Sequence, residues 1–203
     1  MNRALEYALK LSKNLGFKVV NVDGYMGYAE YGEGKEMIGV LGHLDVVPEG
    51  DGWKYPPYGG EIHDGKIYGR GTTDDKGPII AALYGLNAIK NAGIHLSKRV
   101  RILFGTDEER GSDEVEHYLD KEETPVAGFT PDAQYPIIYA EKGIIGFNAV
   151  KKFNDKGNGK IKIDYITGGI ASNVVPALCE AKLILDSDQT KKDIMNKLAK
   201  FTN

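Results

Sequence analysis

The chain is organised around one loop-forming stretch, Gly69-Arg70-Gly71-Thr72-Thr73-Asp74-Asp75-Lys76-Gly77. Its glycines allow the backbone to turn tightly and a ligand to approach closely. The adjacent carboxylates Asp74 and Asp75 stand where this loop becomes a helix, with Pro78 in the first turn. Because helix N-termini favour proline and negative charge, one interpretation is a double acidic cap. The alternative is a metal-binding loop, and residues elsewhere in the chain favour it.

Side chains that bind metals recur along the chain, each beside the end of a strand-like run. His43 and Asp45 lie upstream of the glycine-rich stretch, and Glu108, Glu109 and Asp132 lie downstream. In open α/β sheets, binding sites collect at the carboxyl ends of strands. We therefore predict that several carboxylates and one histidine come together to hold two divalent metal ions.

Each of these groups has a simpler explanation when it is taken alone. His43 fits a hydrogen-bonded histidine at a strand end, and Asp132 fits a turn aspartate. The Glu108–Glu109 pair fits an acidic first turn before a helix near Ser112. Only the combination, in which every group follows a strand, favours a functional site.

The spacing within two of these groups suggests a division of roles. His43 and Asp45 are two residues apart and share one side of an extended chain. A metal-bound imidazole donates its other ring proton to such a neighbour, which fixes its orientation. Glu108 and Glu109 are adjacent, so one is a candidate metal ligand and the other a candidate general base with a raised pKa.

Composition narrows the class of protein. The 203 residues are 41% hydrophobic and 27% charged, which is ordinary for a soluble globular chain. The net charge is −3 (26 basic and 29 acidic residues) and there is no basic run, so we expect no nucleic-acid partner. We also expect no membrane span and no secretory signal, because no apolar run is long enough. The single cysteine, Cys179, excludes an intrachain disulfide and fits a cytoplasmic location.

Hydrophobic periodicity predicts an α/β domain followed by the start of another unit. Helices are predicted at 2–15, 76–91, from Ser112 to about Lys121, and from a cap at Thr190 to Phe201. Because the helix at 76–91 is apolar nearly all round, it is expected to be buried. Strands are predicted at 17–22, 25–31, 37–42, 62–68 (a hairpin), 100–104, 137–140, 144–150, 161–167 and 178–185.

Four motifs carry a resemblance to a known family. They are Gly42-His43-Leu44-Asp45-Val46-Val47-Pro48, the stretch Gly69–Gly77, Gly105-Thr106-Asp107-Glu108-Glu109 and Thr130-Pro131-Asp132-Ala133. In this order they resemble the two-zinc metallopeptidases, which include aminoacylase, carboxypeptidase G, succinyl-diaminopimelate desuccinylase and carnosinase-like dipeptidases. The sequences at 132–136 and 141–143 favour the bacterial PepV-type branch, which cleaves Xaa-His and other dipeptides.

The resemblance implies a fold and an activity. The fold is a three-layer α/β domain over 1–166, with a central mixed and mostly parallel sheet, followed by the beginning of an α+β lid domain over 167–203. The activity is zinc-dependent hydrolysis of dipeptides. One alternative is a deacylase of the same family that acts on N-acyl amino acids. Another is a catalytically inactive fragment that serves only as a metal-binding or association module.

The resemblance also implies individual roles in a site with two Zn²⁺ ions. Co²⁺ or Mn²⁺ are alternatives, because mixed imidazole and carboxylate ligands accept several metals. Asp74 would bridge the ions and be joined to Asp75 by a cis peptide. The remaining roles are His43 and Asp132 as ligands of one ion, Glu109 as ligand of the other, Glu108 as general base, and Asp45 as the residue that orients His43.

The chain also departs from the family pattern. The second metal of the family takes a further histidine near the C-terminus of a longer chain, and no histidine follows Asp132 here. The segment at 168–176 resembles the entry to the lid domain, and the sequence ends at Asn203 inside that domain. We therefore expect a truncated chain that binds two ions, one or none. Exposed apolar surface is expected to cause self-association.

Overall fold

The fold was described from a computed structural model that covers residues 2–143, 145–152, 159–169 and 175–200. The chain divides into two compact units, Met1–Glu141 and Lys142–Asn203. The domain boundary that the resemblance implies between 166 and 167 stays a prediction. Among the helices in the described ranges, none combines the length and apolar character that crossing a membrane requires.

The first unit alternates helices and strands along the chain. Its helices are α1 (Asn2–Asn14), α2 (Lys76–Asn91) and α3 (Asp113–Leu119), with a 3-10 turn at Glu108–Arg110. Its strands are β1 (Lys18–Val22), β2 (Met26–Tyr31), β3 (Met37–His43), β4 (Glu61–His63), β5 (Lys66–Tyr68), β6 (Arg99–Gly105) and β7 (Ala127–Phe129).

Five of these strands form one sheet in the order β1-β2-β6-β3-β7. Strand β2 is antiparallel to both of its neighbours, and β3 is parallel to both β6 and β7. Four of the five strands described in this sheet therefore run in the same direction. The predicted mixed, mostly parallel central sheet is confirmed.

Helices cover both faces of this sheet. Alternate strand residues point to opposite faces, so Val40 and Ile102 lie in a core with α1 and α2, whereas Leu103 lies in a second core with α3. The helix residues that fill these cores are Leu5, Ala8, Leu9, Ile79, Leu83 and Leu86 on one face, and Tyr118 on the other. The predicted three-layer arrangement is confirmed.

The second unit, described by itself, contains two antiparallel strands and one helix. The elements are β8 (Ile161–Gly168), β9 (Cys179–Leu185) and α4 (Asp188–Leu198), which agree with the predicted strands and last helix. Apolar side chains on both strands remain exposed, among them Ile166 and Ile184.

Two sequence-based predictions about helices are wrong, and a third is right in position only. Helix α2 is buried along one stripe only, and Tyr84 on its other face is exposed, because the sheet contacts a single side of the helix. Ser112 occupies the N-cap position of α3 as predicted, but its φ is +63° and its side chain forms no capping bond. Ser187, rather than Thr190, caps α4, because its Oγ accepts a hydrogen bond from Thr190 N at 3.2 Å. Phe201 lies outside the described residues.

The strands predicted at 137–140 and 144–150 are also absent from the part of the chain that the structure describes, which excludes Ile144. Apolar side chains such as Tyr139, Ile145 and Phe147 are almost fully exposed. A strand needs a neighbouring strand for its backbone hydrogen bonds, and the described residues supply none here. An apolar run alone therefore did not identify strands in this region.

We expect Gly85→Ala to raise the free energy of unfolding by about 0.5–1 kcal/mol, because glycine inside a helix is entropically unfavourable. Gly85 lies in the exposed face of α2, and an added Cβ would meet no atom within 4 Å. Urea denaturation measures the change. Gly93→Ala is the matched control: its Cβ also enters open space, but φ is +67°, so this variant should lose stability. A loss of stability in Gly85→Ala would contradict the prediction.

Candidate metal centre

The predicted site residues are carried by neighbouring strand ends. His43 ends β3 and pairs with Gly105, the last residue of the parallel strand β6. Asp45 follows the first of these strands, and Glu108 and Glu109 follow the second. Asp132 follows β7, the other parallel neighbour of β3, and Asp74 precedes α2. The parallel pairing brings three of these loops to one edge of the sheet, and the start of α2 adds the fourth.

The imidazole of His43 stands at the centre of these carboxylates, and its side chain is only 3% exposed. Its Nε2 lies 2.9 Å from Asp74 Oδ1, 3.4 Å from Asp132 Oδ2 and 3.9 Å from Glu108 Oε2. Its Nδ1 lies 3.1 Å from the main-chain oxygen of Asp45 and 3.3 Å from Asp45 Oδ1. One ring nitrogen therefore faces the acidic cluster, and the other faces Asp45.

Asp45 links this histidine to the turn that carries the two glutamates. Its Oδ1 accepts a hydrogen bond from Glu108 N at 3.2 Å, and its Oδ2 accepts one from Glu109 N at 3.1 Å. Burial alone would raise the pKa of Asp45, but its bonds to His43 and to the Glu109 main chain lower it. The predicted role of Asp45 in orienting His43 remains a prediction, and these are the contacts that it requires.

The site concentrates negative charge in a partly enclosed space. Burial is the largest cause of the raised pKa values of Glu108, Glu109 and Asp132, and neighbouring carboxylates add to it. Burial alone would lower the pKa of His43, but Asp45, Asp132 and Glu108 together raise it to about 9. A divalent cation would relieve this repulsion, because a bound ion is the largest local charge in such a site.

The ligand atoms fall into two groups that fit metal ions. One group contains His43, Glu108 and Asp132, the other contains His43, Asp74 and Glu109, and in each the ligand atoms lie within 4.8 Å of one another. Imidazole nitrogen and carboxylate oxygen are established ligands of Zn²⁺. The residues present therefore fit such ions, and Glu108, predicted as the base, also stands within reach of a ligand position.

Asp75 is a contributor to the site that the sequence-based prediction missed. The Asp74–Asp75 peptide is cis, as the resemblance implies. Asp75 has no exposed surface, makes no side-chain capping bond to α2, and its Oδ2 accepts a hydrogen bond from His43 N at 3.1 Å. Burial raises its pKa to about 6. The double-cap interpretation is therefore wrong, because the carboxylates of both Asp74 and Asp75 contact His43.

Fold and site together define the class of this protein: a three-layer α/β protein with a candidate divalent-metal centre of one imidazole and several carboxylates. The chain matches the description Peptidase family M20/M25/M40 over residues 39–182. Because this match covers more than half of the chain, the protein belongs to that family.

Curated relatives of the chain include two bacterial proteins. The Beta-Ala-Xaa dipeptidase of Lactobacillus delbrueckii subsp. lactis is 40% identical over 181 residues, which cover 89% of this chain and 38% of that protein. The dipeptidase candidate YtjP of Bacillus subtilis (strain 168) is 46% identical over 182 residues, which cover 89% of this chain and 39% of that protein. The chain thus spans about two fifths of the length of these relatives.

Two solved structures share the fold. Human carnosine dipeptidase 1 is similar with a TM-score of 0.52 and 31% identity, over 59% of this chain and 29% of that chain. The M20 family metallo-carboxypeptidase Sso-CP2 from Sulfolobus solfataricus is similar with a TM-score of 0.55 and 27% identity, over 64% of this chain and 32% of that chain. These similarities confirm the α/β fold that the sequence predicts.

Proposed function

We propose that this chain is the catalytic-domain portion of a metal-dependent dipeptidase. The observation that carries the proposal is the convergence of Asp74, Asp132 and Glu108 on His43 Nε2, within 3.9 Å. Membership of a peptidase family and relatives named as dipeptidases support the reaction class. The substrate class is therefore dipeptides, and the bond cleaved is the peptide bond.

The residues proposed to hold two divalent ions are His43, Asp74, Glu109 and Asp132. Zn²⁺ is the proposed metal, with Co²⁺ or Mn²⁺ as alternatives that this ligand set also accepts. When bound, such ions lower the pKa of a bound water and polarise the scissile carbonyl. The ligands come from three strand ends and the start of α2, so the fold itself brings them together.

Glu108 is the proposed general base. Its carboxylate is half exposed, so it borders both the cluster and the open side from which a substrate can enter. Burial raises its pKa, which strengthens it as a proton acceptor near neutral pH. It would take a proton from the attacking water and deliver it to the leaving amine, while Asp45 holds the Glu108 main-chain N–H.

We expect Glu108→Gln to lower dipeptide hydrolysis by about 10²–10⁴-fold, the usual contribution of a positioned base. Metal content should remain near that of the unmodified chain, because Glu108 is not one of the four proposed ligands and glutamine keeps a carbonyl oxygen within reach of the ligand position. Hydrolysis is measured as amine release from β-Ala-His and other dipeptides, and metal content is measured by elemental analysis. Glu116→Gln is the matched control, since Glu116 lies exposed on α3 outside the cluster. Full activity in Glu108→Gln would contradict the assignment.

The same assay separates the alternatives. Cleavage of N-acyl amino acids without cleavage of dipeptides would identify a deacylase instead. Metal binding without any hydrolysis would identify an inactive metal-binding or association module.

Light scattering tests the proposed self-association, which the exposed Phe147, Val175 and Leu178 of the second unit favour. The single cysteine, Cys179, supports a cytoplasmic location for the reaction.

A further inference from the structure

We propose that Asp75 is a positioning residue that holds the main chain of His43 and thereby sets the imidazole in the metal centre; this inference rests on the proposed function. The two neighbouring aspartates contact His43 from different sides. Asp74 Oδ1 lies 2.9 Å from the ring atom Nε2, and Asp75 Oδ2 accepts the hydrogen bond of the main-chain N–H at 3.1 Å. Together they fix the imidazole ring and the main chain of His43 relative to the start of α2.

The backbone around His43 is built to admit the Asp75 carboxylate. A Cβ atom added at Gly42 would overlap Asp75 Oδ2 and would lie 2.8 Å from Ile79 Cδ1. Only glycine therefore allows the carboxylate to approach the end of β3 between the strand and α2. The fold makes room for this contact at the residue immediately before the histidine.

Stability alone does not explain a carboxylate at this position. Asp75 has no exposed surface, and its Oδ1 has no hydrogen-bond partner among the residues described. Burying an incompletely bonded polar group costs free energy, whereas an apolar side chain of similar volume would pack without that cost. The distinctive contribution of Asp75 is the acceptor oxygen that it offers to His43 N.

The role of Asp75 separates it from Asp45, which also contacts His43. Asp45 lies beside the ring atom Nδ1 and accepts from the main chain of the glutamate turn. Asp75 instead accepts from the His43 main chain, and its other oxygen has no hydrogen-bond partner in the described ranges. Loss of Asp75 should therefore disturb the orientation of His43 while leaving the hydrogen bonds between Asp45 and Glu109 in place.

The test compares three variants in the 203-residue chain. Asp75→Leu replaces the acceptor with a larger apolar side chain, Asp75→Ala removes the acceptor without added bulk, and Asp75→Asn keeps both the volume and an acceptor oxygen. Amide hydrogen exchange of His43 is measured by NMR without metal, and Co²⁺ affinity is measured by visible absorption. Exchange of the Leu103 amide, in the centre of β6, serves as the internal control for global unfolding.

We expect Leu and Ala variants to exchange the His43 amide faster than the wild-type chain, with Leu103 exchange unchanged. Their Co²⁺ affinity should fall by about 10–100-fold, the usual effect of losing a residue that supports a metal ligand. The Asn variant should remain close to wild type in both measurements. If the Leu variant does not fold, the Ala and Asn variants test the role of Asp75 by the same two measurements, His43 amide exchange and Co²⁺ affinity.

Two outcomes would overturn the inference in different ways. Unchanged His43 exchange and Co²⁺ affinity in the Leu or Ala variant, or an Asn variant as weak as they are, would show that the acceptor oxygen of Asp75 does not position His43. That result would leave the proposed metal centre intact. A wild-type chain that binds no Co²⁺ would contradict the metal centre of the proposed function and would overturn this inference with it.

Discussion

Asp74→Ala is expected to remove bound metal from the 203-residue chain without a large loss of folding stability. Asp74 Oδ1 lies 2.9 Å from His43 Nε2, and Asp74 belongs to a ligand group with His43 and Glu109. If Asp74 bridges two ions, its removal affects both of them. Its side chain is 58% exposed, so little packing is lost with it.

Elemental analysis after dialysis measures this effect directly, and we expect two ions per wild-type chain and none in the variant. Asp51→Ala is the matched control, because Asp51 is an exposed aspartate in the long loop after β3. Urea denaturation of both variants shows whether the fold is retained. Two ions retained in Asp74→Ala would contradict the assignment of Asp74 as the bridging ligand.

Among the variants proposed, Arg101→Met is expected to lower the free energy of unfolding most. The Arg101 side chain is 2% exposed, and its Nη2 lies 2.7 Å from Oε2 of Glu30, which is 6% exposed. The same guanidinium donates to Tyr118 Oη at 2.6 Å and stacks over the Tyr28 ring, 3.7 Å from its centroid. Removing one partner of a buried ion pair costs up to about 3–5 kcal/mol, and in the described part of the chain Glu30 would keep only Arg99, at 3.2 Å, and Lys18, at 3.5 Å, as charged partners.

The measurement is the free energy of unfolding in urea, compared with a surface control. Lys98→Met breaks only the half-exposed ion pair with Glu36, and should cost less than about 1 kcal/mol. The double variant Glu30→Leu with Arg101→Met should be more stable than Arg101→Met alone, because it also removes the buried Glu30 carboxylate that has lost its shortest ion pair. Equal stability of the Arg101 and Lys98 variants would contradict the prediction.

Helices and strands were predicted well where capping residues or short apolar runs mark their ends. Helix α2 begins and ends at the predicted residues, because Pro78 suits its first turn and Gly93 follows its end. The ends of β3 and β6 were also predictable from short apolar runs. The position of β6 between β2 and β3 was not, because the pairing order of strands depends on contacts distant in sequence.

Buried polar residues were the main features that the sequence could not predict. Arg101 lies among the apolar residues Val100 and Ile102 of β6, and its partner Glu30 is 71 residues away. Asp74 and Asp75 are neighbouring residues of the same type, and their side chains point in different directions. A local sequence pattern does not specify the direction of a side chain. The candidate site residues themselves were predictable, because each follows a strand end or precedes a helix, and the parallel sheet then brings them together.

The hydrogen bonds of Asp45 have a consequence for motion within the site. This carboxylate connects the end of β3, through His43, with the main chain of Glu108 and Glu109 beyond β6. Asp45 thus joins the segment after β3 to the turn after β6. Displacements of the imidazole and of the glutamate turn should therefore be correlated. The ligands would then already be ordered before a metal ion binds, and little conformational entropy would be lost on binding.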